Sequence, residues 1–229
     1  PSQKGQRGHR SAGITVAAIF DLQSSKACSN PLNRPNQFPV EVILLFSNGT
    51  IATVGANTQM LVEAFVQKEF DGSDKKVGEL LEEVSPSKMK LNLDLGELIV
   101  DVKKLNKGSH FRIESPVGMA AIRGTSGQLS VRIDPATKVA TGAVNMATGT
   151  VEFQDKEEEV VEVPAGQAVQ VQATAEGEKV GEVKEYVAPP VIVEQIKVEV
   201  QAVEVVTEQI VVEFVAQAVE ETKEKVAEF

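Results

Sequence analysis

The sequence is poor in aromatic residues: it has no tryptophan, a single tyrosine and an aromatic content of 4%. Proteins that bind single-stranded nucleic acids stack the bases on aromatic side chains, so binding of this kind is not expected. The formal net charge of −10 leads to the same conclusion, because contact with phosphates requires a basic surface. We therefore expect no nucleic-acid partner.

Cysteine is almost absent as well. Cys28 is the only one, which excludes a disulfide within the chain but leaves the cellular compartment open. A thiol nucleophile would need an imidazole partner, and only His9 and His110 are available. The acidic loop "FDGSDKK" lacks the closing glutamate of a calcium loop, and no phosphate loop or metal-ligand cluster is recognisable. We expect no enzyme activity, no metal and no cofactor.

Long apolar runs are also missing: none approaches the ~18 residues that a membrane-spanning helix needs, so we expect no direct membrane insertion. The chain begins with Pro1 rather than methionine, which suggests a processed or incomplete N-terminus.

Three parts of the chain differ in composition. Residues 1–39 form a basic arm rich in Gly, Pro and Asn, with one candidate strand in "ITVAAIFDL". Residues 40–173 are expected to form an all-β domain, and residues 174–229 a Val/Glu-rich appendage.

Short segments with alternating apolar residues, separated by Gly, Pro, Asn and Asp, fill residues 40–173. Examples are "VEVILLF", "MKLNLDL", "ELIVDV", "HFRIES" and "GTVEF", and Gly96 separates the second from the third. A period of two residues predicts strands. The expected fold class is mainly β, either a sandwich or a short solenoid of stacked hairpins. An extended N-terminal arm and a partly helical C-terminal tail complete it.

Two turns are predicted from their residues. Asn48-Gly49 favours a two-residue hairpin of type I′, in which both central residues have positive φ. Asn48-Gly49-Thr50 also fits a glycosylation sequon, but the turn explains these residues without it. Pro164-Ala165-Gly166 is expected to turn a final hairpin within "EEEVVEVPAGQAVQVQA".

The segment "SPVGMAAIRGTSGQLSVRI", residues 115–133, admits two interpretations. Arg123, Gly124 and Thr125 could cradle an anion, or the segment could be a tight strand-turn-strand unit. An anion site would require a helix that starts after Gly124, whereas "QLSVRI" alternates like a strand. We favour the strand unit, in which Gly118 and Gly124 allow backbone geometry that a Cβ would forbid. Arg123 is then expected to hydrogen-bond backbone carbonyls or to pair with a carboxylate.

Several motifs of this part of the chain resemble the FecR-type β domain. The family has a strand with a proline, a glycine and an Arg-Gly-Thr, and the later segments "GTVEF" and "VPAGQAVQV" follow in the family's order. The resemblance covers roughly residues 40–173. The matching residues are Pro116, Gly118, Arg123, Gly124, Thr125 and Ala165-Gly166-Gln167.

This resemblance implies a non-catalytic bacterial β domain that works outside the cytoplasm. In the best-known members of the family, the domain lies in the periplasm and relays a signal from an outer-membrane receptor to a sigma factor. An extracytoplasmic location, whether secreted, at the cell surface or in the periplasm, is therefore expected for this chain. A shared fold indicates the scaffold more firmly than the task.

The composition shifts to Val, Glu, Gln and Ala after residue 190. The segment "VIVEQIKVEVQAVEV" alternates over part of its length, which favours a strand, although residues 190–206 can also be helical. From about Thr207, apolar residues recur at helical spacing and predict an amphipathic helix. The polar face of that helix carries mostly glutamate, which favours a protein partner over a membrane surface.

Two functional hypotheses follow. The arm and the tail have opposite local charge, and each contains an apolar segment that a neighbouring subunit could bind. These features favour a non-enzymatic structural protein outside the cytoplasm, a filament subunit that assembles from copies of itself through its termini. The alternative is an envelope sensor or regulatory binding module related to the FecR-type signal relays.

Overall fold

The computed structural model describes residues 16–21, by their backbone, and residues 42–68, 70 and 75–207. These ranges contain a 3₁₀ turn at Val77–Glu79, the helix α1 at Pro190–Thr207, and thirteen strands. The strands are β1 (Val16–Asp21), β2 (Val42–Phe46), β3 (Ile51–Val54), β4 (Gln59–Gln67), β5 (Ser87–Asp101), β6 (His110–Ser115), β7 (Gly118–Ile122), β8 (Ser126–Ile133), β9 (Ala140–Thr148), β10 (Thr150–Asp155), β11 (Val160–Pro164), β12 (Gln167–Ala173) and β13 (Lys184–Val187).

The long strand β5 connects two sheets. Its residues 87–95 lie between β4 and β6, in a sheet with the order β4-β5-β6-β7-β10-β11, which we call layer B. Its residues 96–101 lie between β3 and β8, in a sheet with the order β1-β2-β3-β5-β8-β9-β12-β13, which we call layer A. The mainly β class is thus confirmed, in its two-layer form. Gly96 lies where β5 passes between the layers and does not end a strand, as its position in the sequence had suggested.

The core lies between the two layers. Alternation along β5 directs Leu91 and Leu93 inward from layer B, and Leu98 and Val100 inward from layer A, and each of these side chains is at most 1% exposed. Complete burial of such a side chain contributes about 1.5–3 kcal/mol. The two-residue alternation seen in the sequence therefore has its physical basis in this shared core.

Helix α1 packs on the outer face of layer A. Ile196 and Val203 are buried there, Ile196 in a cluster with Ile99 and Ala147, and Val203 in a cluster that includes Val77 and Ile43. The expectation of a strand in this segment is wrong, and residues 190–206 are helical. The apolar residues that face the sheet recur at helical intervals, and this tertiary packing outweighs the strand preference of valine. The helix expected from Thr207 onward lies outside the described residues.

An ion pair links α1 to the C-terminal end of β5, a central strand of layer A. Lys103 Nζ lies 2.8 Å from Glu204 Oε1 and 3.0 Å from Asp101 Oδ2. Burial alone would lower the pKa of Lys103, but the contacts with Glu204 and Asp101 raise it above its usual value. β13 pairs with β12 at one edge of layer A, and α1 packs on the outer face of this layer. Both belong to residues 174–229, which were expected to form an appendage.

The β2–β3 hairpin exists, but its turn is not of type I′. Phe46 N donates to Thr50 O at 2.9 Å and Gly49 N donates to Phe46 O at 2.9 Å, which makes a three-residue loop. Of the loop residues only Gly49 has positive φ, at 82°, as in a type I turn followed by a left-handed glycine. The Asn48 side chain is buried: it donates to Ser87 Oγ and accepts from Thr50 N. This buried role explains the asparagine better than a sequon does.

The expected final hairpin is also wrong. β11 pairs with β10 in layer B, whereas β12 pairs with β9 and β13 in layer A, so the turn at residues 165–166 carries the chain from one layer to the other. The strand expected in "ITVAAIFDL" is confirmed as β1, which pairs with β2 of its own chain. His9 and Cys28 lie outside the described residues.

Candidate interaction surface

The first half of the Pro/Gly/Arg-Gly-Thr motif is the β6–β7 hairpin. Pro116 and Val117 form its turn, and the Ser115 hydroxyl closes it by donating to Gly118 O at 2.9 Å. Gly118 has a φ of 153°, and a Cβ there would overlap the carbonyl oxygen of Gln154 on β10. Glycine at this position therefore lets β7 and β10 approach each other closely.

The second half of the motif carries the chain between the layers, because β7 belongs to layer B and β8 to layer A. Gly124 has a φ of 95°, and a Cβ there would lie 3.0 Å from Lys104 Cα. Thr125 is 3% exposed, and its carbonyl accepts a hydrogen bond from Val102 N at 3.0 Å. A strand, and no helix, follows Gly124, so these residues do not form a helix-terminus anion site.

Arg123 does not have the expected structural role. Its side chain is exposed, and within the described residues it has neither a hydrogen bond nor an ion pair. Alternation along β7 explains this, since position 123 faces outward together with Met119 and Ala121. Gly166 lies in the β11–β12 turn, where its N–H donates to Met146 O and its carbonyl accepts from Ala188 N.

The motif also places β7 in the middle of the outer face of layer B, the sheet face directed away from the core. Strand register defines two rows of side chains on this face. Nearly all of these side chains are exposed or half-exposed. The first row is Lys90, Arg112, Ala121, Glu152 and Glu162, and the second is Asn92, Glu114, Met119, Gln154 and Val160.

Charge on this outer face changes sign from one side to the other. On β5 and β6 the basic residues are Lys88, Lys90 and Arg112; Lys90 is paired with Glu63 and Glu114, so Lys88 and Arg112 carry the positive charge of this side. Glu152 and Glu162 on β10 and β11 make the other side acidic. The small or apolar residues of β7 lie between them. An apolar strip between fields of opposite charge is a surface on which a protein partner can be held and oriented.

Lys90 is the one basic residue of this face with carboxylate partners among the described residues. Its Nζ lies 3.0 Å from Glu63 Oε2 and 3.0 Å from Glu114 Oε1. The hydrogen bond to Glu63, followed by the one to Glu114, raises the pKa of Lys90 above its usual value. The neighbouring Arg112 and Lys88 are exposed and remain available to a partner's acidic groups.

A second ionic cluster fixes the end of β10 beside the β6–β7 hairpin. The buried Asp155 carboxylate accepts hydrogen bonds from Glu157 N and Glu159 N, both at 2.9 Å, and from Lys179 Nζ at 2.8 Å. Burial alone would raise the pKa of Asp155, but the hydrogen bonds from Lys179 and from the two backbone N–H groups hold it below 3.8. The hydrogen bond to Asp155, followed by the one to Glu159, raises the pKa of Lys179 above its usual value.

We expect Asp155→Asn to remove a pH-dependent part of the stability. The folded chain favours the charged carboxylate, so this contribution is present above pH 3.8 and is lost as the pH falls through the lower folded pKa. Chemical unfolding of both proteins between about pH 7 and pH 3 tests this. At neutral pH the wild type should have a larger free energy of unfolding than Asp155→Asn, and this difference should shrink below pH 3.8. Lys179→Met should show the same dependence on pH as Asp155→Asn. A difference that does not vary with pH would contradict the assignment.

The described residues contain no group of three or more His, Cys, Asp or Glu side chains that could hold a metal ion. A recess inside the sandwich is lined by apolar side chains, Gly142 and two serines, Ser115 and Ser130, and no acid, base or amide side chain lines it. The outer face of layer B, by contrast, brings cationic, anionic and apolar side chains together on one surface.

This face was not predicted from the sequence. The signal was present in "HFRIES" and "TVEF", whose alternation separates inward Phe and Ile from outward charged residues. Which of those charged residues are neighbours depends on the strand order. β10 pairs with β7 in layer B, although the chain between them forms β8 and β9 of layer A. A sequence pattern gives the face of each strand but not its neighbours.

Comparisons with known proteins gave one family match and two similar solved structures. A family model described as "FecR protein" matches residues 40–152, nearly half of the chain. Two crystal structures of a "putative anti-sigma factor" from Parabacteroides distasonis ATCC 8503 resemble part of the fold. The first structure has a TM-score of 0.47 and 17% sequence identity, and the match covers 70% of this chain and 60% of that one. The second has a TM-score of 0.42 and 16% identity, and the match covers 65% of this chain and 55% of that one. The chain thus spans about 60% of the length of the first structure. No curated protein gave a significant match.

The expectation of a filament subunit is wrong. The family match favours a sensor or regulatory module instead. In addition, two segments considered for exchange between subunits pack in their own chain, since β1 pairs with β2 and α1 covers layer A. Within the described part of the chain, no helix is both long enough and apolar enough to cross a bilayer.

Proposed function

We propose that this chain is a non-catalytic regulatory binding module, because the FecR protein family model matches residues 40–152. It works outside the cytoplasm and passes on a signal through contact with another protein. The family match is the observation that carries this proposal. Its scaffold is the two-layer fold, and its partner is recognised by surface side chains.

The outer face of layer B is the surface that we assign to this contact. It belongs to rigid strands whose register is fixed on both sides, so its side chains are preorganised for a partner. Arg112 offers an exposed planar cation that can bind a carboxylate through two parallel hydrogen bonds. Met119 and Ala121 supply the apolar strip beside it, and Glu152 supplies the opposite charge beyond it.

Complementation in the source organism tests the proposal. Deletion of the gene should change the transcript levels of a small group of genes, because a signal relay ends in altered transcription. Re-expression of the wild-type chain should restore these levels. Arg112→Glu should fail to restore them, since it reverses the charge of the basic side of the face.

Arg132→Glu is the matched control. Arg132 is also an exposed arginine on a strand, but it lies near the end of β8 in layer A, so this variant should restore transcription. Immunoblots must show equal amounts of the three proteins. Unchanged transcription in the deletion strain would overturn the regulatory function. Full restoration by Arg112→Glu would overturn the assignment of the surface.

A further inference from the structure

Helix α1 has two apolar faces, and layer A uses only one of them. Ile196 and Val203 face the sheet and are 0% and 4% exposed. Val191, Val198 and Val205 are 75%, 56% and 64% exposed. The second set lies on the side of the helix opposite the first, since a residue advances about 100° around the helix axis.

The exposed apolar residues form one continuous stripe along α1. Positions 191, 195, 198, 202 and 205 follow each other at alternating steps of four and three residues, which keeps them on one side of a helix. All five are exposed, and none is charged. We call this set the exposed stripe; its members are Val191, Gln195, Val198, Ala202 and Val205.

Helix stability does not explain valine in the exposed stripe. A β-branched residue forms a helix less readily than Ala, Glu or Lys, and an exposed apolar side chain gains nothing from burial. In the sequence, valine also recurs at positions 212, 219 and 226, so six valines follow one another at intervals of seven residues from Val191. A seven-residue repeat is the spacing with which one helix packs along another.

The residues beside the exposed stripe indicate the charge of what binds it. Its flanks hold Glu194, Glu199, Gln201 and Val206, so their only charges are negative. The corresponding flanking positions further along the sequence again include Glu208, Glu213 and Glu220. Lys197 is the only cation of α1, and it lies about 100° around the helix from Val198.

A second copy of the chain is a poor match for this surface. Wherever two charged flanking residues met across a symmetric contact of two α1 helices, the pair would be Glu against Glu, and flanking charges of this kind select the partner. A helix that carries Lys or Arg beside its own apolar stripe would meet opposite charge at the same positions.

We propose that the exposed stripe of α1 is a docking surface for an amphipathic helix of another protein, with Lys or Arg on both flanks of that helix's apolar stripe. This surface lies on the layer A side of the molecule and is independent of the outer face of layer B. The chain therefore has two separate contact surfaces, one built from strands and the other from a helix.

Peptide binding to the full chain tests the proposal. The probe is a fluorescent synthetic helix of about four heptads, with Leu in the apolar stripe and Lys at the flanking positions. One control peptide has Glu at the flanks, and another contains the residues of the probe in scrambled order. Fluorescence anisotropy should show binding of the Lys-flanked peptide and at least tenfold weaker binding of both controls. Equal binding of the scrambled peptide would overturn the proposal, since it would reflect net charge alone.

Variants of the chain locate the contact. Val198→Ala with Val205→Ala raises helix propensity while removing apolar area, so a loss of affinity cannot come from a weaker helix. We expect this variant and Val198→Glu to bind the Lys-flanked peptide several-fold to tenfold more weakly. Val187→Glu should bind like the wild type, since Val187 is 69% exposed on β13. Unchanged affinity in both stripe variants would overturn the proposal. So would sedimentation of the chain alone as a dimer that these variants dissociate, because a second copy would then cover the stripe.

Discussion

Glu83→Ala is expected to lower the free energy of unfolding by about 3–5 kcal/mol. Glu83 is 2% exposed and lies just before β5. Its Oε2 accepts from Ser87 Oγ at 2.7 Å, and its Oε1 accepts from Asn106 N at 2.7 Å and from Ser109 Oγ. No cation of the described residues contacts it, so neutral donors alone stabilise this buried carboxylate.

The loss is large because Glu83 joins separate parts of the chain. Ser87 begins β5, Asn106 and Ser109 belong to the loop before β6, and Asn48 of the β2–β3 hairpin donates to Ser87 Oγ. Alanine would leave several buried donors without an acceptor, and each such group costs about 1–3 kcal/mol. Glu83→Gln should lose less, because the amide retains one acceptor oxygen while its NH₂ group meets the remaining donors.

The neighbouring residue provides the control for this measurement. Glu82 is 60% exposed in its side chain, and its ion pair with Lys104 is 3.8 Å long. A surface pair of this kind contributes little, so Glu82→Ala should change the unfolding free energy by less than about 0.5 kcal/mol. Chemical denaturation of Glu83→Ala, Glu83→Gln, Glu82→Ala and the wild type measures these differences in the free energy of unfolding. Similar losses for Glu82→Ala and Glu83→Ala would show that the buried network does not stabilise the fold.

The adjacent residues Glu82 and Glu83 show that the burial of a glutamate cannot be predicted from the sequence alone. Nothing in "ELLEEVSPS" distinguishes a buried glutamate from an exposed one, because the donors come from residues up to 26 positions away. Alternation is a local signal, and it predicted the strands of both layers for that reason. It could not predict that β5 continues past Gly96, because the buried positions change there from 91 and 93 to 98 and 100, which in the sequence resembles the end of one strand and the start of another.

Helix α1 shows the same limit for local propensity. Valine and isoleucine favour strands, and "VIVEQIKVEV" alternates, yet the segment is helical because Ile196 and Val203 pack on layer A. The motif around Arg123 shows the converse. Its glycines could be assigned to tight backbone contacts from sequence, because glycine has few other uses between strands. The partners in those contacts, Gln154 and Lys104, required the structure.

Gly118→Ala is expected to lower the free energy of unfolding by about 2–4 kcal/mol. The backbone φ of 153° is unfavourable for alanine, and the added Cβ would overlap Gln154 O and lie 2.7 Å from Phe153 Cζ. The backbone of β10 cannot move away, because it is paired with β7 on one side and β11 on the other. Thermal and chemical denaturation measure the effect.

Gly108→Ala is the control for a glycine with positive φ but no close neighbour. Gly108 has a φ of 85°, and a Cβ there would have no neighbour within 4 Å, so its replacement should cost about 1 kcal/mol. The excess for Gly118→Ala then reports the overlap with β10 together with the less accessible φ of 153°, and equal losses in the two variants would contradict both. Gly118 begins the strand that carries Met119 and Ala121. If β7 yields by moving outward, Gly118→Ala should also impair complementation in cells at temperatures where the protein is still folded, whereas Gly108→Ala should not.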